Sequence, residues 1–319
     1  GIDADTAAES ELRQLIDTGT IRGVKAAQLT SGQKRGAIPI HLFLKEKFED
    51  GTYKKVKGRA VALGNRQDRT LYTEDETSSP TVSLLSLMTV VVIALKMKMK
   101  SMNFDITGAY LNAKLKKKII VMFPPHLARI LVKVDASFAE CVELDGSIYA
   151  DLLGALYGTI EASKLWYEHM RGTLQRIGFR ANELDPCVFI RGSGEALTIV
   201  LQYVDDGKAF SCDLKQLQLL RQQIGATYEA TFDFSARSQY LGMIFDFTTA
   251  GQCVVSMPKI VDDLLLEMGV SGSSRMPHGA NLYDVDPGSP PLDTARAKKF
   301  YSVVYKLYYA AIRVEVRIQ

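Results

Sequence analysis

The run Leu197-Thr-Ile-Val-Leu-Gln-Tyr-Val-Asp-Asp-Gly207 constrains this chain more than any other stretch, because an apolar strand leads directly into two adjacent carboxylates, Asp205 and Asp206, and a glycine. A strand this apolar must be buried in a sheet, and an Asp-Gly pair tolerates the positive φ of a tight hairpin. Two readings are open at this point. Either the pair is the solvated acidic tip of a hairpin, or the turn holds two carboxylates rigidly at a sheet edge, where they can ligate a divalent metal. The choice depends on whether a third carboxylate ends a comparable strand elsewhere.

Asp105 meets that requirement. It sits in Met102-Asn-Phe-Asp-Ile-Thr-Gly-Ala-Tyr-Leu-Asn112, where Phe104 and Ile106 flank it in a short strand and Thr107-Gly-Ala109 makes a small-residue step into a short helix. A pair of Mg²⁺ ions a few ångströms apart needs hard anionic oxygens from more than one segment. Asp105, Asp205 and Asp206 supply them, and Mn²⁺ can substitute. The backbone N–H groups of Gly108 and Ala109 can approach a triphosphate because no bulky side chain intervenes. Tyr110 can set a flat ring beneath a nucleotide sugar.

The rest of the chain supplies an α+β frame. With 319 residues, 47% hydrophobic and 24% charged, it can bury a substantial core. A net charge of +3 does not by itself imply nucleic acid, so the basic segments matter individually. Ile38–Phe48 and Lys54–Ala62 read as a hairpin turning at Glu49-Asp-Gly51, with Lys55, Lys57 and Arg59 on one face of its second arm. That face either discourages edge pairing or meets phosphates. Lys114, Lys116, Lys117 and Lys118 form the densest basic cluster and read as a solvated face. Helical spacing marks Leu12, Leu15 and Ile16; Val82–Leu95, too short to span a bilayer; the segment from Ser163; the segment after Asp213; Ile260–Met268; and the segment from Thr294. Residues 124–148 read as loop with short strands. Tyr240–Phe245 and Gln252–Ser256 read as a hairpin, and 271–291 as a linker. The cysteines show no C-x-x-C spacing, which leads us to expect reduced thiols in an intracellular protein. Without an initiator methionine, the chain is expected to be a processed product or a piece of a longer one. The order of elements predicts helices on one face of an antiparallel sheet.

In this order and at these distances, several motifs resemble the reverse transcriptase of copia-type (Ty1/copia) LTR retrotransposons. They are Lys57-Gly-Arg59, Ser79-Pro-Thr-Val82, Phe104–Asn112, Ala155-Leu-Tyr-Gly158, Lys164-Leu-Trp-Tyr167, Asp185-Pro-Cys-Val-Phe189, Tyr203-Val-Asp-Asp206 and Tyr240-Leu-Gly-Met243. The resemblance implies a right-hand polymerase fold. Residues 1–100 would form fingers with the first palm helix, 101–250 the palm with an inserted fingers segment near 116–165, and 251–319 the start of a thumb. It implies RNA-directed DNA polymerisation on an RNA template and a DNA primer with dNTPs, without a membrane partner and most naturally in the cytoplasm. By the same resemblance Asp105, Asp205 and Asp206 bind the metals, while Lys57, Arg59, Gly108, Ala109 and Tyr110 bind the nucleotide, Tyr110 gating ribonucleotides. Gly158, Leu241, Gly242 and Met243 would line the primer and template. Two departures carry expectations of their own. Ile160 and Glu161 stand where the family has Lys-Gln, which would remove a cation and set an anion beside the template. Lys208, just past the aspartates, would reach them as a counter-ion. A second reading therefore stays open: a non-catalytic nucleic-acid-binding or structural subunit of a larger assembly.

Overall fold

The computed structural model describes residues 2–49, 52–272, 284 and 286–314. The expected turn at Asp50-Gly51, most of the 271–291 linker and Glu315 lie outside them.

Helix α1 (Ile2–Asp17) opens the chain, with Asp3 and Asp5 in its first turn, where the helix dipole favours negative charge, and Leu12 and Leu15 fully buried. Strand β1 (Ile21–Val24) and the short helix α2 (Ser31–Arg35), closed by a Thr30/Gln33 capping box, lead into the hairpin β2 (Ile38–Glu49) and β3 (Thr52–Ala62). After α3 (Glu74–Thr77) comes α4 (Leu84–Lys96), whose buried Leu87, Val90, Val91 and Ala94 follow helical spacing. Strand β4 (Lys100–Ile106) carries Asp105 and is followed by β5 (Lys114–Phe123), α5 (Pro125–Val134) and β6 (Ile148–Gly154). Helix α6 (Ala162–Arg176) precedes a meander of β7 (Arg180–Ala181), β8 (Val188–Arg191), β9 (Thr198–Tyr203) and β10 (Asp206–Ser211). The chain closes with α7 (Leu214–Gly225), β11 (Ala230–Asp233), β12 (Arg237–Tyr240), β13 (Met243–Asp246), β14 (Val254–Ser256), α8 (Pro258–Met268) and α9 (Thr294–Ala311).

These strands build three sheets. The first has the order β1-β6-β5-β2-β3, the central one β11-β4-β10-β9-β8-β7, and the small one β12-β13-β14. Every neighbouring pair in the central sheet is antiparallel. Its Met102, Phe104, Val200 and Ala209 share one core with α4, α6 and α7 through Leu87, Trp166, Met170, Leu217 and Leu220. A second core joins α1 and α5 to the first sheet. Strand β3 is an edge of the first sheet, and α1 covers it. The helix comes so close that a Cβ on Gly58 would lie 2.8 Å from the Ala7 carbonyl oxygen. Glu11 accepts the Ala60 N–H at 2.8 Å, which satisfies a donor the edge would otherwise leave open. Among the described residues no helix is long and apolar enough to cross a membrane.

Several expectations are corrected. Residues 124–148 contain α5, buried through Leu127, Ala128 and Leu131; its N-terminal proline favours a helix start there, although a Pro-Pro pair reads as a breaker in isolation. The lysine cluster, by contrast, keeps its expected solvated face on β5, with Lys114, Lys116 and Lys118 exposed, and there Lys116 pairs with Glu168, Lys117 with Glu76, and Lys118 with Asp151. Tyr240–Phe245 is not one strand. It breaks into a hairpin tip at Leu241 (φ +51°) and Gly242 (φ +78°).

Gly207 finds its reason in packing. It pairs with Phe104 across β10 and β4, and a Cβ there would fall 2.0 Å from the Phe104 ring. Gly207→Ala should therefore destabilise the fold by about 1–3 kcal/mol in urea unfolding. Adding Phe104→Leu should recover part of that loss, and strictly additive losses would sink the packing argument.

Candidate active site

The hairpin turn lies two residues before the Asp206-Gly207 pair expected to form it. Tyr203 and Asp206 are partners across β9 and β10, so the two-residue loop is Val204-Asp205 and Asp206 already belongs to the strand. Val204 takes φ +55°, a conformation that glycine usually supplies at the first loop position of such a turn. For a β-branched residue this strain is on the order of 1–3 kcal/mol. Two contacts hold the strained turn. Trp166 donates its indole N–H to the Val204 carbonyl at 2.6 Å, and the Ile106 N–H bonds the Asp205 carbonyl at 3.1 Å. Beyond packing in the core, the buried Trp166 ring positions the turn, a role that helical spacing does not reveal.

Asp206 lies directly opposite Asp105 in the antiparallel ladder, and residues paired this way point to the same face. Their carboxyls are within hydrogen-bonding reach of each other. Burial, then the neighbouring charges of Asp205 and Asp105, push Asp206 up to about 6. Burial and the charge of Asp205 likewise raise Asp105. Among the described residues no group of three or more His, Cys, Asp or Glu side chains stands close enough to hold a metal ion as it is. The donor set nevertheless fits one: paired hard oxygens, with Asp205 adjacent, suit Mg²⁺, which takes one or two carboxylates and completes its shell with water and substrate phosphates.

Beside the turn after β4 a cleft of 840 Å³ opens between α1 and β3, lined by Lys57, Arg59, Thr107, Gly108 and Tyr157 among others but by none of the three aspartates. Lys55, Lys57 and Arg59 are exposed at alternate positions of β3, as their spacing predicts. The positive charge of Lys57 reaches Asp105 and partly offsets the rise in its pKa. Arg59 rests on the Tyr157 ring, with its guanidinium carbon 4.5 Å from the centroid, a cation–π contact. Tyr157 in turn meets Tyr110 edge to face at 4.5 Å. Burial, then the charge of Asp205, pushes Tyr157 up to about 12. The two tyrosines thus link the basic strand to the acidic tip. The sequence places Tyr157 in the Ala155-Leu-Tyr-Gly158 motif but gives it no role, because a tyrosine before a glycine is not a specific signal.

The other expected site residues are placed as follows. Gly108 adopts φ +57° and faces the cleft beside Gln14 of α1, while Ala109 is buried behind it. Gly158 (φ +89°) packs backbone to backbone: a Cβ there would meet the Ala62 carbonyl oxygen at 2.0 Å. Leu241 and Gly242 form the tip of the β12–β13 hairpin, whereas the Met243 side chain is fully buried. Tyr309 of α9 donates its hydroxyl to the Leu241 carbonyl at 3.2 Å.

Two expectations about the departures are overturned. Glu161 is buried and accepts from Gln67 at 3.2 Å and from the Tyr72 hydroxyl at 3.1 Å, so its carboxylate braces the 64–77 segment internally. Lys208 does not reach the aspartates as a counter-ion. It is fully buried, and its ammonium bonds Asn103 at 2.8 Å and Ser238 at 3.2 Å. Burial lowers its pKa to about 8.

A six-stranded antiparallel sheet with carboxylates at its strand ends and a basic-walled cleft beside it defines the right-hand polymerase fold. The fold is shared with a foamy viral protease–reverse transcriptase solved in complex with double-stranded DNA. The TM-score is 0.50 at 12% identity, covering 97% of this chain and 41% of that one. The sequence family described as reverse transcriptase (RNA-dependent DNA polymerase) matches residues 26–275. The chain belongs to that family, in its copia-type branch. It is 28% identical over 166 residues to the retrovirus-related Pol polyprotein from transposon RE1 of Arabidopsis thaliana, covering 52% of this chain and 10% of that one. To the corresponding polyprotein from transposon TNT 1-94 of Nicotiana tabacum it is 25% identical over 263 residues, covering 81% and 18%. The chain thus spans only a fraction of the length of these relatives.

The carboxylate pair has a measurable cost. An acid whose pKa is raised on folding binds more protons folded than unfolded, so stability falls as pH rises from the ordinary aspartate range through about 6. Asp206→Asn, in metal-free buffer at pH 7.5, should therefore stabilise the fold by about 1 kcal/mol after solvent screening. It should also flatten the pH dependence of the urea midpoint between pH 4 and pH 7. An unchanged profile would show that the carboxyls do not repel.

Proposed function

We propose that this chain is the polymerase portion of a copia-type reverse transcriptase, extending a DNA primer on an RNA template with dNTPs. The observation that carries this reading is the Asp105–Asp206 carboxylate pair, set by strand register, with the charge of Lys57 reaching Asp105 from a neighbouring cleft that Lys57 and Arg59 line. In the reaction the primer 3′-oxygen bonds the α-phosphorus of the dNTP while the bond to the β-phosphate oxygen breaks, and pyrophosphate leaves. Asp105, Asp205 and Asp206 would hold Mg²⁺ or Mn²⁺. When bound, the metal neutralises phosphate charge and favours ionisation of the 3′-hydroxyl.

The remaining roles fall to residues in and beside the cleft. Lys57 and Arg59 attract the triphosphate, and Arg59 is already oriented by the Tyr157 face. Gly108 lets the sugar and phosphates approach the backbone. Tyr110, braced edge-on by Tyr157, lies under the sugar and excludes a 2′-hydroxyl by contact. In domain terms, the first sheet with α1 acts as fingers and the central sheet as palm. The β12–β13 hairpin with Leu241-Gly242 meets the primer end, and α8 and α9 begin the thumb. The partners are an RNA template, a DNA primer and dNTPs.

The test is extension of oligo(dT) on poly(rA) with Mg²⁺ or Mn²⁺. Asp205→Asn should lower the rate by about a hundredfold or more, equivalent to about 2.7 kcal/mol of barrier. A wild-type chain that binds primer–template yet incorporates nothing would favour the non-catalytic subunit instead. Tyr110→Ala should cut discrimination against ribonucleotides by about tenfold or more, the value of about 1.4 kcal/mol of lost steric selection. Unchanged selectivity would remove the gate from Tyr110.

A further inference from the structure

Lys208 is the most anomalous side chain in the molecule. It sits on β10 two register pairs below the aspartates, opposite Asn103 on β4, and is fully buried. Its ammonium points into the gap between the central sheet and the small sheet. There it meets the rings of Phe245, Phe210 and Phe247 at 5.2, 5.5 and 5.9 Å. An apolar side chain would suit those rings at no desolvation cost, so packing alone does not account for a lysine.

What the lysine adds is direction. It donates to the Ser238 hydroxyl on β12 at 3.2 Å and to the Asn103 side-chain oxygen at 2.8 Å. The Asn103 amide donates onward to the Gln239 carbonyl at 2.7 Å, and the Tyr240 hydroxyl donates to the Leu201 carbonyl at 3.2 Å. Three successive residues of β12 are thus bonded to the central sheet, immediately before the Leu241-Gly242 tip. Apolar contacts between two sheets tolerate sliding, whereas directional hydrogen bonds from a buried ammonium favour one arrangement.

We propose that Lys208 and Asn103 form a buried polar tie that sets the β12–β13 hairpin tip relative to the Asp105–Asp206 pair, making Lys208 a positioning residue for the primer end. The proposal rests on the polymerase reading for its functional consequence, but the tie itself is testable without it.

Two measurements separate them. In primer extension, Lys208→Met, Asn103→Ala and the double variant should each raise KM for primer–template by about fivefold or more, close to 1 kcal/mol of binding. KM for dNTP should stay within about twofold. The double variant should be no worse than the weaker single, because one network is broken once. Equal rises in both KM values, or none, overturn the positioning role; Asn103→Ala carries the test if Lys208→Met does not fold. Independently of activity, hydrogen exchange at the amides of residues 239–243 should quicken about tenfold in either variant relative to the central sheet. Unchanged exchange there overturns the tie, whether or not the wild-type chain extends primers.

Discussion

Everything in the site follows from one pairing, Asp206 opposite Asp105 in the antiparallel ladder of β4 and β10. A slip of one residue would turn either carboxylate to the other face and dissolve the pair. Several contacts hold that register. Phe104 fills the space that Gly207 leaves, Trp166 pins the strained Val204 carbonyl, and the Ile106 amide holds Asp205. The fold thus keeps two mutually repelling carboxyls together at a cost to its own stability, a common arrangement where function requires a charge-dense site.

The basic wall of the cleft is organised on the same principle, with each cation given a defined environment. Helix α1 closes the edge of β3 through Glu11 and the close approach at Gly58, so the alternation that exposes Lys57 and Arg59 is held in place. Tyr157 then orients the Arg59 guanidinium, which would otherwise sample many rotamers. The lysines of β5, by contrast, are engaged in pairs with Glu76, Asp151 and Glu168 and serve the frame. The same residue type has two uses, and position in the sheet separates them.

Much of this was legible from local pattern. The strand before Asp205, the isolated Asp105 between Phe104 and Ile106, the β3 alternation and the helices ending near Met268 and starting at Thr294 all follow from periods of two and 3.6 residues and from capping chemistry. Where local signals misled, a contact from far along the chain had decided the matter. The turn falls at Val204-Asp205, two residues before the Asp206-Gly207 pair, where Trp166 and the Ile106 amide hold its carbonyls. Helix α5 formed where a proline pair suggested loop, because Leu127 and Leu131 had a core to enter.

The amino-acid sequence by itself determined the inventory: three aspartates on two strand ends, a basic strand face, and the order of elements that admits one α+β architecture. Tertiary structure alone decided what each charge does. Glu161, in line with the expected template path, turned inward to Gln67 and Tyr72; Lys208, two residues from an aspartate, turned away to Asn103 and Ser238. Neither outcome can be read from spacing, because a charged side chain settles where its partners and its burial leave the lowest free energy, and those partners lie about 90 residues away for Glu161 and 30 to 105 for Lys208.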